Sequence, residues 1–310
     1  MKLLNKICDR EFIEKNLLAL KHQGKEQVYQ LIHPDMPDPV FIIGCSRAGT
    51  TVTFETIRTS PEFLSFPYEI PQFWHSLVGP WDNNWASEAA SAADAKPSHR
   101  DQSLAHFYAR LGKGLVLDKS CINAMRIPYL HRLFPNAHFI YIQRDGRDNI
   151  SSLMEGWKQR GRFDLQQYLG KLPEKVQINQ GEFNDWCFFL PPNWRDYNNA
   201  TLEEVCAHQW MTANQMALEA QSLIPEDKWI HIRYEDIFED PVEMFREVFE
   251  RLQLPFTEEL KSRCATLNKR PTSIVNGPPK KEKWKSNNPA AIENILPLIE
   301  PLMTTLGYKL

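Results

Sequence analysis

The glycine-bounded stretch from Gly44 to Thr51, GCSRAGTT, directly follows the apolar run Val40 to Ile43. A short, wholly apolar run is typical of a strand buried on both faces of a parallel sheet, and the residues after the loop favour a helix. A loop at a helix N-terminus presents unpaired N–H groups and the positive end of the helix dipole, which together bind anions, most often phosphate. The segment therefore predicts an anion site, to which Arg47 adds a cation and Thr50 and Thr51 add hydroxyl donors.

The same loop nearly matches the nucleotide-binding pattern G-x-x-x-x-G-K-[ST], but Thr50 stands where the pattern requires lysine. That lysine normally contacts the β- and γ-phosphates, so its absence disfavours an ordinary ATP or GTP hydrolase. A P-loop-type small-molecule kinase stays as an alternative. The purely structural alternative is a glycine-rich turn between strand and helix that holds no ligand.

A second anion site is predicted at Arg144, which follows the apolar run His138 to Ile142. Ligands of open parallel sheets bind at the carboxyl ends of strands, and the arginine fork grips two oxygens of a phosphate. Ser152 lies eight residues later, inside a predicted helix from Arg147 to Trp157, and can face the same point. Two separate anion sites on one sheet indicate a nucleotide phosphorylated at two positions.

The elements that must position these residues alternate along the chain. Further strands are predicted over Gly114 to Leu117 and Trp229 to Ile232, with helices over Ala124 to Phe134 and from Pro241 onward. Strands separated by helices imply βαβ units, and hence an α/β fold with a P-loop-like parallel sheet flanked by helices on both faces. We expect a single domain over residues 1–310, in which residues 1–38 form a helical extension.

Two segments rich in aromatic residues interrupt the alternation, within residues 73–100 and 158–200. Long aromatic loops in an α/β domain are either lids over a pocket or additional core. We predict that both form the acceptor side of the site. The equally favoured alternative is that they add to the hydrophobic core.

Composition excludes several classes of protein. The 36 Lys and Arg against 39 Asp and Glu give a net charge of −3, which disfavours nucleic acid as a partner because counterion release needs a basic face. The six cysteines are scattered, with no C-x-x-C pair, so neither a metal site nor a disulfide framework is expected. The opening 25 residues lack the long apolar region and small-residue cleavage site that are typical of a signal peptide, and no apolar run reaches about 18 residues. We therefore expect no transmembrane segment and a cytoplasmic location.

These motifs resemble those of the sulfotransferases, in the family's order from about Val40 to Tyr308. The 5′-phosphosulfate loop is matched by Ser46, Arg47, Ala48, Gly49, Thr50 and Thr51, with Ala48 replacing the common serine. The 3′-phosphate motif is matched by Arg144 with Ser152. The segments Ile232 to Asp236 and Lys283 to Lys285, followed by Asn288-Pro289, also resemble shared segments. The tyrosylprotein and carbohydrate branch is the most similar.

The resemblance implies transfer of a sulfuryl group from 3′-phosphoadenosine 5′-phosphosulfate (PAPS) to a hydroxyl or amine, releasing PAP without a metal. It implies that Arg47 and Lys119 lie near the transferring group. The alternative for Lys119 is a solvated lysine at the end of a strand. Glu69 is the candidate base, with Glu62 and His75 as alternatives.

Two further residues are assigned to the donor by the same resemblance. Tyr234 is placed beside adenine, or is a buried structural tyrosine, and Lys283 is placed at the 3′-phosphate, or lies in a solvated basic loop. For the acceptor we rank a small molecule or lipid above a glycan, and a glycan above a peptide. The non-enzymatic alternative is a protein that binds PAP or another nucleotide without catalysis.

Overall fold

The computed structural model describes residues 10–267 and 281–309, with side chains described from residue 13 onward. At its centre lies a five-stranded sheet, and its strands are β1 (Val40–Ile43), β2 (Phe63–Ser65), β3 (Leu115–Asp118), β4 (His138–Gln143) and β5 (Trp229–Arg233). The strand order is β2-β3-β1-β4-β5, and every pair is parallel. The predicted α/β fold with a parallel sheet is confirmed.

The described helices follow in chain order: α1 (Arg10–Ile32), α2 (Thr50–Ile57), α3 (Pro71–Leu77), α4 (Pro97–Leu111), α5 (Ile127–Leu133), α6 (Gly146–Trp157), α7 (Gln166–Leu169), α8 (Leu202–Gln221), α9 (Asp236–Glu239), α10 (Pro241–Arg251), α11 (Glu258–Cys264), α12 (Trp284–Asn287) and α13 (Pro289–Thr305). Short 3₁₀ turns lie between several of them, one of them at Cys121–Met125.

Side chains that alternate along the strands enter two separate cores. From β1 and β4, Phe41 and Phe139 pack on one face with Trp74 of α3. Ile42 and Ile140 pack on the other face, where the apolar side of α10 covers them. Because successive side chains of a strand point to opposite faces, a sheet buried on both faces reads as a continuous apolar run.

One predicted helix differs in the structure. The stretch Ala124 to Phe134 was expected to be one helix, but a 3₁₀ turn ends at Met125 and α5 begins only at Ile127. Pro128, in the first turn of α5, has no N–H to bond back to the preceding turn, so a helix can start there but not pass through. The N-terminal extension is a single helix in its described part, α1, and residues 1–9 lie outside the description.

No helix within residues 10–267 and 281–309 is both long and apolar enough to cross a membrane. In the same two ranges, no group of three or more His, Cys, Asp or Glu side chains is arranged to hold a metal ion.

Candidate active site

A cavity of about 700 Å³ opens where β1 and β4 end. The chain continues from β1 to β2 and β3 on one side of β1 and to β4 and β5 on the other, so this edge is the switch point at which open α/β sheets bind ligands. Ten of the predicted site residues line it: Ser46, Arg47, Gly49, Thr50, Thr51, Glu69, Arg144, Ser152, Tyr234 and Lys283. Ala48 belongs to the same loop, but its side chain is buried. Lys119 does not line the cavity either, and it bonds the Glu69 carboxylate.

The loop after β1 has a backbone shaped for an anion. Arg47 has a left-handed φ of 69° and Gly49, with φ 108°, is the N-cap of α2 without any side-chain cap. The first N–H groups of α2 are therefore left for another partner. The fully buried Asn149 of α6 donates to the Ser46 carbonyl at 2.8 Å and holds the loop in place. Sequence reasoning did not single out Asn149, because an asparagine inside a helix has no local signature for this contact.

Gly49 is required by packing as well as by its φ. A Cβ at this position would lie 2.2 Å from Cδ2 of Tyr234. The Tyr234 ring also packs against Arg144, whose guanidinium carbon is 4.4 Å from the ring centroid, and against Phe238, at 5.5 Å between ring centroids. Tyr234 is thus largely buried between the loop and Arg144, while still reaching the cavity.

Arg144 is buried, with 6% of its surface exposed, at the end of β4. Its Nη1 donates to the Arg47 carbonyl at 2.7 Å, whereas its buried Nε has no hydrogen-bond partner among the described residues. Among the ion pairs of the described residues, none involves Arg144 or Arg47. A buried cation that forms no ion pair is costly, so this guanidinium is suited to an anion.

Arg47 lies beside Arg144 and faces α6. Its Nε donates to the Ser152 hydroxyl at 3.3 Å, and its guanidinium lies 5.5 Å from the Phe163 ring centroid. Burial lowers the pKa of Arg47 to about 10, helped by the positive charges of Arg144 and Arg162. A bound anion would relieve this repulsion, since an opposite charge favours the charged form.

Glu69 and Lys119 form an ion pair at the opposite wall of the cavity. The Lys119 Nζ lies 2.5 Å from Glu69 Oε1 and 3.3 Å from the Thr51 hydroxyl, while the Cys121 N–H donates to Glu69 Oε2 at 2.8 Å. Burial by itself raises the pKa of Glu69, but Lys119 and the Cys121 N–H outweigh it and the net pKa is lowered. Glu69 is therefore an ionised carboxylate near neutral pH, 31% exposed toward the cavity.

Asp118, next to Lys119, anchors the end of β3. It is 3% exposed and accepts hydrogen bonds from Trp74 at 2.9 Å, Asn123 at 2.8 Å and Ser120 at 3.2 Å. Burial raises its pKa to about 6 despite these three donors. Its role is to hold the strand end from which Lys119 projects, and sequence reasoning passed over it.

The alternative bases lie elsewhere. Glu62 is exposed and does not line the cavity. His75 is buried and paired with the fully buried Glu88, at 2.7 Å between Nε2 and Oε1. Tyr168, whose ring stacks on that of His75, stands between His75 and the cavity.

The predicted acceptor-side segments contribute differently to the cavity. Residues 158–200 supply Gln159, Arg162, Phe163, Gln167, Tyr168 and Phe188 to its lining, whereas none of the lining residues comes from 73–100. The Phe163 and Phe188 rings stack at 4.8 Å, and the Tyr168 hydroxyl donates to the Phe188 carbonyl at 3.0 Å. None of these residues was singled out from the sequence as a site residue, because their convergence depends on the course of a long loop.

Segment 73–100 instead supports that wall from behind. Glu88 exchanges hydrogen bonds with Leu190, from its own N–H to the Leu190 carbonyl and from the Leu190 N–H to its carboxylate. Glu88 thus holds the chain two residues beyond Phe188 and, through His75, backs Tyr168. The assignment of both segments to the acceptor side stays a prediction.

Residues 282–288 contact α6 at the edge of the cavity. Asp148 of α6 accepts the N–H groups of Glu282 and Trp284, at 2.8 and 3.1 Å. Asn288 donates to the Ser151 hydroxyl at 2.9 Å. These contacts place Lys283 at the cavity, on the same helix side as Ser152.

Comparison with known proteins identifies the family of this chain. A sequence model described as "Sulfotransferase family" matches residues 39–258. The protein-tyrosine sulfotransferase of Drosophila melanogaster is 21% identical over 290 residues, covering 87% of this chain and 51% of that protein. Protein-tyrosine sulfotransferase 1 of Danio rerio is 24% identical over 301 residues, covering 90% and 74%.

Two solved structures share the fold. Sulfotransferase STF9 from Mycobacterium avium has a TM-score of 0.60 at 14% identity, covering 94% of this chain and 82% of that one. Sulfotransferase STF1 from Mycobacterium tuberculosis H37Rv has a TM-score of 0.51 at 12% identity, covering 90% and 80%. Because the family model spans most of the chain, this protein belongs to the sulfotransferase family. The chain spans about half the length of its Drosophila relative.

Proposed function

We propose that this protein transfers a sulfuryl group from PAPS to an acceptor hydroxyl. The observation that carries the proposal is the buried guanidinium of Arg144 beside Arg47, at the carboxyl edge of the sheet, which forms no ion pair within residues 13–267 and 281–309. Two adjacent guanidiniums with no ion pair to a described carboxylate fit a donor that brings its own negative charges. PAPS supplies an activated sulfuryl group on its 5′-phosphate and a second phosphate at the 3′ position.

The two anion sites divide the donor between them. The loop from Ser46 to Thr51, with the Arg47 side chain and the N-terminus of α2, holds the 5′-phosphosulfate end. Arg144, Ser152 and Lys283 hold the 3′-phosphate. Tyr234 packs on Gly49 and Arg144 and so fixes the shape of the loop. Its second role is to border the bound donor.

The transfer itself is assigned to Glu69 and Lys119. Glu69 accepts the proton of the acceptor hydroxyl while the new oxygen–sulfur bond forms and the bond from sulfur to the 5′-phosphate oxygen breaks. The leaving phosphate gains negative charge, which Arg47, Lys119 and the loop N–H groups stabilise. Lys119 bonds both Glu69 and Thr51, so it already spans the base and the donor loop.

We infer a small molecule or lipid bearing a hydroxyl as the acceptor. The stacked rings of Phe163 and Phe188 offer an apolar wall beside Arg47, suited to a ring. The outer rim is polar and exposed, with Gln72, Arg162 and Gln167, which suits a polar group on the rest of the molecule. The relatives named as protein-tyrosine sulfotransferases support phenolic hydroxyls as the first acceptors to screen.

Calorimetric titration with PAP, run beside ATP plus Mg²⁺, tests the donor. We expect PAP to bind equally well with and without EDTA and ATP to bind weakly, because Thr50 replaces the lysine of nucleotide triphosphate sites. Binding of ATP with Mg²⁺ but not of PAP would replace this proposal by the kinase alternative.

A further inference from the structure

Asp148 is a buried carboxylate in the part of the cavity that the proposed function assigns to a phosphate. It lies in the first turn of α6, is 7% exposed and lines the cavity together with Ser152, one helical turn further along. Residues four apart lie on the same face of a helix, so the carboxylate and the Ser152 hydroxyl share one wall. A negative group beside a phosphate opposes phosphate binding by like-charge repulsion, so its presence there calls for a physical reason.

Both oxygens of this carboxylate are occupied by backbone groups of another segment. Oδ2 accepts the N–H of Glu282 at 2.8 Å, and Oδ1 accepts the N–H of Trp284 at 3.1 Å. These two N–H groups lie on either side of Lys283, which lines the cavity. Because hydrogen bonds to a charged carboxylate are stronger than those between neutral groups, the two bonds fix the backbone of Lys283 relative to α6.

The far end of the same segment is also held on this face of α6. Asn288 is 8% exposed and donates to the Ser151 hydroxyl at 2.9 Å. It also donates at 3.2 Å to Glu155, a second carboxylate at the cavity. The short helix α12 lies between the two attachments, so the attachment at Asp148 is the nearer one to Lys283 along the chain.

We propose that Asp148 is a positioning residue that holds Lys283 against the 3′-phosphate of the donor. The inference rests on the proposed function, because it takes the 3′-phosphate site at Arg144, Ser152 and Lys283 as given. Asp148 acts through Lys283. Its negative charge is directed to two backbone N–H groups, and in return it brings a positive side chain to the phosphate that it would otherwise repel.

The sign of one substitution separates this role from that of a plain acidic neighbour. Asp148→Asn keeps the size of the side chain and removes its charge. If the carboxylate only stood near the phosphate, the loss of a like charge would strengthen PAP binding. If it positions Lys283, PAP binding weakens, because an amide accepts through only one oxygen and one of the two backbone bonds is lost.

Calorimetric titration of the full chain with PAP and with AMP tests the proposal. We expect Asp148→Asn to weaken PAP binding several-fold and Asp148→Ala to weaken it roughly tenfold or more, the range for a hydrogen bond to a charged group. AMP affinity should change little, because AMP lacks the phosphate that Lys283 contacts.

Asp240→Ala is the matched control. Asp240 accepts the N–H of Glu243 at 2.9 Å where α10 begins, and its side chain is exposed and does not line the cavity. This variant therefore also loses a carboxylate that caps backbone N–H groups, but at a distance from the donor. It should leave the affinities for PAP and AMP unchanged.

A double-mutant cycle tests whether Asp148 acts through Lys283. Lys283→Ala should by itself weaken PAP binding at least as much as Asp148→Asn does. Asp148→Asn added to Lys283→Ala should then cause no further loss, because no cation is left to position. A loss by the same factor in both backgrounds would show a general structural effect and would overturn the proposal.

The remaining outcomes separate this inference from the proposed function. A wild type that binds PAP no better than AMP would remove the 3′-phosphate site and overturn both. A wild type that prefers PAP, with Asp148→Asn binding PAP equally well or more tightly, would overturn this inference alone. Equal losses for PAP and AMP in Asp148→Asn would do the same.

Discussion

At the scale of single residues, Arg144 and Glu69 pose opposite electrostatic problems. Arg144 is a buried cation that forms no ion pair in the described part of the chain, whereas Glu69 is a carboxylate already neutralised by Lys119. The first arrangement is costly until an anion arrives, and the second keeps a base ionised in a partly enclosed cavity. Each can be tested by one substitution.

Replacing Arg144 should weaken PAP binding more than AMP binding, because AMP lacks the 3′-phosphate. We expect Arg144→Ala to cost about 1.5–3 kcal/mol in PAP affinity by calorimetry, the range for hydrogen bonds to charged groups. The PAP affinity of Arg144→Lys should fall between those of the wild type and Arg144→Ala, because lysine keeps the positive charge but cannot grip two phosphate oxygens at once. An equal loss for PAP and AMP would contradict the assignment of Arg144 to the 3′-phosphate.

Glu69→Gln tests the proposed base with the side-chain shape kept. Glutamine cannot take the acceptor proton, so sulfuryl transfer to a phenolic acceptor should fall roughly 10²–10⁴-fold. PAP affinity should stay within a few-fold of the wild type. Glu62→Gln, at an exposed carboxylate outside the cavity, is the control and should change neither quantity. Unchanged turnover in Glu69→Gln would favour a protein that binds nucleotide without using this base.

Asp118 should make the free energy of unfolding depend on pH. Its pKa of about 6 in the folded protein exceeds the value of about 3.9 in an unfolded chain. Its contribution to stability is therefore complete below about pH 4 and is lost as pH rises through about 6. Urea unfolding at pH 4.5 and 7.5 should show a loss on the order of 2 kcal/mol from this group, and Asp118→Asn should reduce it. If the free energy of unfolding fell equally with pH in the wild type and in Asp118→Asn, Asp118 would not be the group responsible.

At the scale of elements, the donor loop depends on its junctions with α2, α6 and β5. Asn149 of α6 holds the Ser46 carbonyl, and Tyr234, directly after β5, occupies the space that a side chain at position 49 would need. The loop is thus shaped by two elements that lie about a hundred residues or more further along the chain. The cavity wall formed by Phe163 and Phe188 also depends on a distant segment, because Glu88 holds the chain just beyond Phe188.

Gly49→Ala should remove PAP binding and lower the free energy of unfolding by about 1–3 kcal/mol. The added Cβ would lie 2.2 Å from the Tyr234 ring at a left-handed φ of 108°. Gly181→Ala is the matched control, because Gly181 has a φ of 88° but no atom within 4 Å of the added Cβ. It should cost stability through backbone strain alone and leave PAP binding intact. Equal effects on binding would show that the contact with Tyr234 is unimportant.

At the scale of the whole molecule, one sheet edge gathers the donor loop, the Arg144 site and the Glu69–Lys119 pair. The cytoplasmic location stays a prediction.

Local patterns in the sequence were enough to predict the parallel sheet and to place the candidate anion sites at its carboxyl edge. The apolar runs of β1 and β4, the glycine loop after β1 and the arginine after β4 can each be found within about ten residues. Strand burial, helix N-termini and the carboxyl edge of a parallel sheet follow from general geometry, so these predictions needed no tertiary contacts. The family resemblance added Glu69 and Lys119 by position.

The pairings and the acceptor wall depend on tertiary contacts. Lys119 reaches Glu69 across 50 residues, and Phe163 stacks on Phe188 through the course of a long loop. Neither contact has a periodic signature, because it depends on how distant segments pack against each other. Sequence patterns report the backbone's local preferences, whereas side chains meet in space only after the whole core has folded.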